Sequence, residues 1–133
     1  MRFSRKIDYG LILMEALRTS FSEGSFIKLS GIATAHQLPL PFLQKLADTL
    51  RRKEYLQARR GQGGGYRLLK DPKKITLKEI MDIFEEPAMM RCMQSTHPEK
   101  YCPLARTCPT RKTWAQIEEK VNRIFCEVTI DTL

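Results

Sequence analysis

RRGQGGGYRLLK, residues 59–70, is the most informative segment of this sequence about the fold. Four of its twelve residues are glycine, four are basic, and its end, Tyr66-Arg67-Leu68-Leu69, has the composition of a strand. Glycine supplies the positive φ angles of tight hairpin turns. Together with residues 55–60, the stretch therefore predicts a strand, a glycine turn and a second strand. The alternative, a phosphate-binding loop, lacks its strand-then-helix setting and the following Lys-Ser/Thr pair.

Two helical segments precede this hairpin. Residues 29–36 place Leu29, Ile32 and Ala33 on one side, and residues 36–41 contain two prolines, which disfavour helical geometry in the residue before each. A further helix is predicted from about Pro41, because its fixed φ suits the first helical position. A short helix, a turn and a helix with a polar outer face form the helix-turn-helix pattern, and a hairpin directly after it makes a winged helix.

The other predicted elements are all helical. Residues 4–17 have apolar side chains at helical spacing, and Thr76-Leu77-Lys78-Glu79 matches a capping box that opens a helix running to about Phe84. From Thr110, a last helix carries a heptad seam. The seam residues are Trp114, Ile117, Val121, Ile124 and Val128.

Two interpretations of that seam compete: docking on its own domain, or pairing with a second copy. We favour the homodimer, because a single winged domain contacts few base pairs and two-fold dimers are the usual way to contact more. The predicted fold class is mainly α, a winged helix-turn-helix domain with a small two-stranded β wing and a long C-terminal dimerisation helix. We divide the chain into a DNA-binding domain at 1–86, a cysteine-bearing cluster loop at 87–109, and the dimerisation helix with its tail at 110–133.

Positive charge is concentrated around the hairpin. The net charge is +8, and residues 51–74 hold nine basic against two acidic residues. Such a concentration attracts polyanions because each neutralised phosphate releases counterions, although a solvated basic face is the alternative. A membrane surface is disfavoured, since these charges do not share one face of a long helix. The apolar run at residues 11–14 is too short for a signal peptide or a membrane span, so we expect a cytoplasmic protein.

Three of the four cysteines lie between the capped helix and the seam helix. Cys92, Cys102 and Cys108 are spaced C-x9-C-x5-C, whereas Cys126 lies apart and is expected to be a small buried apolar residue. The trio allows incidental thiols, a zinc site without the usual paired spacing, a redox disulfide with a third thiol, or an iron–sulfur cluster with one outside ligand. The spacing does not choose among them. No catalytic motif is present, which argues against an enzyme and a small-molecule substrate.

Taken together, these segments resemble the Rrf2 family of bacterial winged-helix transcription regulators, over nearly the whole chain. Residues 1–11 resemble the family's opening helix and residues 41–50, PFLQKLADTL, its recognition helix. Residues 60–68, RGQGGGYRL, match its most specific signature, the wing. Residues 108–114, CPTRKTW, followed by a heptad helix, resemble the cluster-bearing branch.

The resemblance implies a dimer with an iron–sulfur cluster, [4Fe-4S] or [2Fe-2S], held by Cys92, Cys102 and Cys108. Members of the branch complete the coordination with a residue from the partner's first helix or with a histidine three positions after the last cysteine. That position holds Arg111, so Asp8, donated across the dimer, is the expected fourth ligand, with His97 as the second candidate. The nine residues between the first two cysteines exceed the five typical of the family, which leaves the cluster type open.

The expected function is regulation of transcription, as a repressor, at a pseudo-palindromic double-stranded DNA operator. Gln pairs with adenine and Lys with guanine in the major groove, while arginines at a wing contact phosphates or a narrow minor groove. The cluster would sense iron or cluster status, nitric oxide or oxidative stress. The alternatives are a cluster-free regulator with redox-sensing or zinc-binding loop thiols, and a protein-interaction adaptor. The predicted DNA-contacting residues are Pro41, Gln44, Lys45, Arg52, Arg59, Arg60, Gly63, Tyr66 and Arg67.

Overall fold

A computed structural model describes residues 2–85 and 89–133 of the chain. The boundary predicted between residues 86 and 87 lies outside the described residues. The described fold is mainly helical, with one antiparallel pair of strands, and 3₁₀ turns at 72–74, 98–100 and 130–132. In chain order the elements are α1 (Arg5–Ala16), α2 (Ser20–Glu23), α3 (Leu29–His36), α4 (Leu40–Arg52), β1 (Leu56–Arg59), β2 (Gly65–Leu68), α5 (Leu77–Phe84), α6 (Arg91–Gln94) and α7 (Arg111–Glu127).

One apolar core lies beneath α1, α3, α4, α5 and the base of the hairpin. Burying a Leu or Ile side chain fully contributes about 1.5–3 kcal/mol, so these contacts supply most of the stabilisation that places α4 and the wing. The core residues without solvent exposure include Leu13, Leu43, Leu50, Leu68, Ile80 and Ile130.

The turn between α3 and α4 is built by its backbone. Gln37 ends α3 in the left-handed conformation, at φ +53°, and the Leu38 N–H donates to the Ala33 carbonyl at 2.9 Å. The Pro39 carbonyl then accepts the first bonds of α4, from the N–H groups of Phe42 and Leu43, both at 3.1 Å. The predicted start at Pro41 is therefore one residue late, because Pro39 caps the helix and α4 begins at Leu40.

The hairpin has the predicted strand, glycine turn and second strand. Leu56 pairs with Leu68 and Arg59 with Gly65, so the two leucines point into the core at the base of the hairpin. Ile27 extends the sheet on the far side of β2 by exchanging two backbone hydrogen bonds with Tyr66, both at 2.8 Å. The wing is therefore fastened on both sides, which the sequence pattern did not indicate.

The C-terminal segment closes the domain. The capping box that the sequence predicts is confirmed: the Thr76 N–H donates to Glu79 Oε2 at 2.7 Å, and the Glu79 N–H donates to Thr76 Oγ1 at 3.2 Å. Beyond α7, the Ile130 N–H donates to the Ile75 carbonyl at 2.9 Å, and the Ile130 side chain is fully buried. Ile130 is therefore part of the apolar core described above.

Helix α7 packs on α5, and Phe125 meets Phe3 edge to face at 6.0 Å between ring centroids. None of its described residues is fully buried within the single chain. No described helix has the length and hydrophobicity needed to cross a bilayer.

Candidate nucleic-acid interface and cysteine loop

The outer face of α4 presents the predicted major-groove residues to solvent. Pro41, Gln44 and Lys45 are exposed in its first two turns, while Leu43 and Leu46 on the opposite face are buried. Gln44 also lines a shallow groove shared with the wing. The other residues along this groove include Lys28, Ser30, Leu40, Gly61 and Tyr66. The outer face of α4 and the wing therefore border one continuous surface.

Arg52 lies further along α4 and is paired within the helix. The Asp48 carboxylate accepts hydrogen bonds from Arg51 Nη2 at 2.8 Å and from Arg52 Nε at 2.9 Å. These two guanidinium groups, Arg51 first, hold the pKa of the Asp48 carboxyl below its ordinary value. The carboxylate offsets part of the positive charge at this end of the helix. The pairing follows from the sequence, because residues three and four positions apart are neighbours on a helix surface.

The wing glycines divide into two kinds. Gly61 and Gly63 have φ of +87° and +73° with open space around them, so they form the turn itself. A Cβ on Gly64 would lie 2.2 Å from the Arg59 carbonyl oxygen, and one on Gly65 would lie 2.3 Å from the Ile27 carbonyl oxygen. These two glycines are therefore needed for close packing of protein backbone, not only for turning.

The wing arginines differ in their surroundings. Arg60 is exposed beside the turn, whereas Arg59 places its guanidinium carbon 4.2 Å from the centroid of the Phe26 ring. Arg67 stacks on the same ring at 5.6 Å. No local sequence pattern links Phe26 to Arg59 and Arg67, so this contact could not be predicted from the sequence.

At the base of the wing, Lys70 places its Nζ 3.8 Å from the centroid of the Tyr55 ring. The Tyr55 hydroxyl donates to Glu79 Oε1 at 3.2 Å. Burial, together with the nearby Glu79 carboxylate, raises the pKa of the Tyr55 phenol above its ordinary value. These contacts fix the wing to α5.

The cysteine loop leads from the domain into α7. Cys92 lies in α6, Cys102 follows the 3₁₀ turn at 98–100, and Cys108 lies just before Thr110, the N-cap of α7. All three thiols are partly buried. Ala105, between the last two cysteines, is buried and anchors this part of the loop.

Arg111 ties the loop together from the first turn of α7. Its Nη1 donates to the Ala105 carbonyl at 2.9 Å and to the Cys92 carbonyl at 3.4 Å. Cys108 Sγ lies 3.3 Å from Thr110 Oγ1, and this hydrogen bond is the main reason that the pKa of the Cys108 thiol is lowered. Arg111, at the position where the resemblance implies a histidine ligand in some family members, thus bonds backbone carbonyls.

The expected ligand set is dispersed in the single chain. Across residues 2–85 and 89–133, no three His, Cys, Asp or Glu side chains are grouped closely enough to hold a metal ion. Asp8 is exposed in the first turn of α1, and exposed His97 places its Nδ1 3.4 Å from Glu99 Oε1. Cys126 is exposed on α7, so its predicted burial is wrong: it lies two residues after the seam position Ile124.

A helix-turn-helix with an exposed outer face, a glycine-turned wing and a strongly basic surface define a winged-helix DNA-binding protein. The particular family follows from comparison with known proteins. The model of the Rrf2 family, described as an iron-dependent transcriptional regulator, matches residues 3–133. The chain belongs to the Rrf2 family.

Individual relatives agree with this assignment. A putative HTH-type transcriptional regulator of Aquifex aeolicus is 29% identical, over a match that covers 100% of this chain and 91% of the Aquifex protein. The HTH-type transcriptional regulator CymR of Bacillus subtilis is 28% identical over 100% of this chain and 89% of its own. The HTH-type transcriptional regulator IscR of Cereibacter sphaeroides is 32% identical over 65% of this chain and 56% of its own.

The fold agrees as well. The solved structure of B. subtilis CymR, titled as the global cysteine regulator of that organism, superposes with a TM-score of 0.78. The match has 26% sequence identity and covers 99% of this chain and 95% of that one. The predicted winged-helix fold with a C-terminal helix is confirmed, and the protein is a DNA-binding transcriptional regulator, not an enzyme.

Proposed function

We propose that this Rrf2-family protein is a repressor that binds a pseudo-palindromic operator as a homodimer, with an affinity set by the chemistry of Cys92, Cys102 and Cys108. The observation that carries the proposal is the position of the cysteine loop. It leads directly into α7, and Arg111 in the first turn of α7 bonds back to the Cys92 carbonyl. A change at the thiols would therefore act on the connection between the DNA-binding domain and α7.

Pairing of α7 with a second copy is supported by its exposed seam. Ile117 and Ile124 are 37% and 57% exposed, although one face of the helix already packs on α5 and Phe125 meets Phe3. An apolar seam left open after intramolecular docking is suited to the same seam on another chain. The dimer would place two copies of α4 on one duplex.

An iron–sulfur cluster fits the donor chemistry of the loop. Thiolates are the ligands that such clusters take, and all three loop thiols are partly shielded from solvent. Cys92, Cys102 and Cys108 would hold the cluster, with Asp8 of the other subunit as fourth ligand and His97 as the second candidate. A bound cluster would supply chemistry that responds to iron supply, nitric oxide or oxidants. The description of the matched family as iron-dependent supports this form of the proposal.

Residues around the cysteines would transmit a chemical change at the thiols to the start of α7. Arg111, Ala105 and the Thr110 cap hold the loop against the start of α7, so rearrangement near the thiols alters how α7 leaves the domain. The spacing and tilt of two α4 helices on DNA depend on that exit. A coupling free energy of roughly 1–3 kcal/mol is enough for such control.

Anaerobic isolation tests the cluster. We expect brown protein with visible absorption, bound iron and sulfide, and loss of the chromophore in Cys102→Ala. Cys126→Ala is the matched control, because Cys126 lies on α7 outside the loop, and it should retain full colour. Protein that stays colourless and metal-free after reconstitution would contradict the cluster.

A second candidate is a regulator whose loop thiols respond directly to oxidants or bind zinc. Two observations favour it: the hydrogen bond from Thr110 lowers the pKa of the Cys108 thiol, and a relative of similar length is titled a global cysteine regulator. Thiolates rather than thiols are the reactive form. Metal-free protein in which a mild oxidant changes operator affinity, and in which Cys108→Ser abolishes that change, would support this candidate.

The DNA contacts are tested on a duplex selected by the protein from a random pool. Gln44→Ala should relax sequence preference at one position of each half-site, because a bidentate pair with a base is worth about 1–3 kcal/mol of discrimination. Arg60→Ala should weaken binding to all duplexes and lower its salt dependence, since a phosphate contact carries no sequence information. Binding of no duplex by the unsubstituted protein would favour the protein-interaction alternative.

A further inference from the structure

We infer that Phe26, Arg59 and Arg67 form one phosphate-binding unit on the wing, in which the Phe26 ring orients both guanidinium groups toward a single backbone phosphate of the operator. This inference rests on the proposed operator binding and adds a positioning residue to it. It concerns a site separate from Arg60 at the tip of the wing.

Strand register explains how three distant residues meet. Arg59 pairs with Gly65 across the hairpin, and Arg67 lies two residues along β2 from Gly65, so both arginines share one face of the sheet. Phe26 precedes Ile27, which pairs with Tyr66 on the other side of β2. Because side chains alternate along strands, Phe26 takes the same face as Arg67.

Gly65 makes the arrangement possible. It has no side chain between Arg59 and the segment that carries Phe26, and a Cβ there would lie 2.3 Å from the Ile27 carbonyl oxygen. The Arg59 guanidinium therefore lies over the Phe26 ring at 4.2 Å, and that of Arg67 reaches the same ring at 5.6 Å. An aromatic face attracts a guanidinium and limits its rotamers, which lowers the entropy lost on binding an anion.

The unit lacks an anion of its own. Within the described part of the chain, neither Arg59 nor Arg67 forms an ion pair, and the buried Arg67 Nε has no hydrogen-bond partner. Arg51 and Arg52 differ, because both are paired with Asp48. The two guanidinium groups near the Phe26 ring carry like charges, so an anion that contacts both offsets their repulsion, and Arg forks match phosphate oxygens. A backbone phosphate beside the wing supplies that anion.

The test compares variants on a duplex selected by the unsubstituted protein. Arg59→Ala and Arg67→Ala should each weaken binding about tenfold, and the double variant also about tenfold instead of a hundredfold, because either change disables the same contact. Phe26→Leu should weaken binding roughly threefold to tenfold and have no further effect in the double variant. Phe21→Leu is the matched control, since Phe21 is an exposed aromatic on α2 and should leave affinity unchanged.

Two readouts separate positioning from mere folding. Although Phe26→Leu changes no charge, it should reduce the slope of log affinity against log salt by about one per subunit, as loss of a phosphate contact does. In ethylation interference, one phosphate of each half-site should cease to matter in Phe26→Leu, Arg59→Ala and Arg67→Ala alike. In Arg60→Ala, ethylation of that phosphate should still interfere with binding, and ethylation of a different phosphate should cease to interfere. Phe26→Trp retains a ring and should restore both readouts.

Additive losses for the two arginine variants would overturn the inference, as would interference at two different phosphates. An unchanged salt slope and phosphate pattern in Phe26→Leu would assign Phe26 a packing role only. If Phe26→Leu lowers stability, the comparison of Phe26→Trp with unsubstituted protein decides, because loss of the contact in Phe26→Trp contradicts the role of the ring. Failure of the unsubstituted protein to bind any duplex identifies failure of operator binding itself, and the inference falls with it.

Discussion

The helix-turn-helix with its wing and the cysteine loop are built in opposite ways. In residues 29–69, six leucines are fully or almost fully buried, and Gly64 and Gly65 pack directly against backbone. They are Leu29, Leu43, Leu46, Leu50, Leu56 and Leu68. In residues 89–110, Ala105 is the one residue described as buried, and hydrogen bonds of the Arg111 and Thr110 side chains hold the loop to the start of α7. A segment with few buried apolar contacts opens at low free-energy cost, which suits a sensor, whereas a surface that contacts DNA must keep its shape.

Substitutions in the helix-turn-helix should lower the free energy of unfolding far more than substitutions in the cysteine loop. Leu50→Ala removes a fully buried side chain from α4 and should lower the free energy of unfolding by about 2–5 kcal/mol, because it leaves a cavity in a packed core. Leu104→Ala is the control in the cysteine loop, where Leu104 is 63% exposed, and it should change that free energy by less than about 0.5 kcal/mol. Urea unfolding of both variants measures the difference, and similar losses would contradict it.

A second prediction concerns the two kinds of wing glycine. Gly65→Ala should destabilise the domain by about 2–3 kcal/mol and impair DNA binding, because the new Cβ meets the Ile27 carbonyl and φ is +142°. Gly63→Ala, at φ +73° with open space around it, should cost only about 1 kcal/mol. Thermal unfolding compares the stabilities of the two variants. A larger loss of stability in Gly63→Ala than in Gly65→Ala would show that the wing is not packed as described.

A third prediction concerns the hydrogen bonds by which Arg111 joins the cysteine loop to α7. Arg111→Ala removes the hydrogen bonds to the carbonyls of Ala105 and Cys92, worth about 1 kcal/mol to the loop. Amide hydrogen exchange in residues 89–110 should become about fivefold faster, with little change in α3 and α4. Lys112→Ala is the control beside it. Exchange that stays the same in the loop would mean that Arg111 does not close it.

The smallest expected effect is a change in thiol reactivity. Thr110 stabilises the Cys108 thiolate by a hydrogen bond and lowers the pKa of that thiol, so Cys108 should be alkylated at lower pH than an ordinary cysteine. Thr110→Ala removes the stabilisation of the charged form and should move the midpoint of alkylation rate against pH upward. Peptide-resolved iodoacetamide labelling of reduced, metal-free protein measures it, with Cys126 as the internal control. A midpoint that stays or moves down would contradict the role of Thr110.

What the sequence predicted well was local. The capping box at Thr76 and Glu79, the turn glycines and the α3–α4 pattern each depend on residues within one turn or hairpin, and each is present. Boundaries shifted by a residue where backbone geometry decided, as at Pro39, whose carbonyl accepts the first bonds of α4.

What the sequence did not predict depends on contacts between distant segments. Ile130 was assigned to a tail but fills the core beside Ile75. The Phe26 ring is brought close to Arg59 and Arg67 because Ile27 pairs with β2 and β2 pairs with β1. The heptad pattern gave a wrong expectation for Cys126. Its side chain is exposed, because it lies outside the apolar seam although it is close to the seam in sequence. The ligand role of Asp8 depends on a second chain and remains a proposal.

Control of operator affinity by the cysteine loop is tested by comparing dissociation constants. The dissociation constant for the selected duplex is compared between anaerobically isolated protein and its Cys102→Ser variant, each before and after treatment with an iron chelator and a mild oxidant. We predict that treatment changes the affinity of the unsubstituted protein by about 5–150-fold and leaves the variant unaffected. Equal affinities in all of these samples would show that the cysteine loop does not control operator affinity.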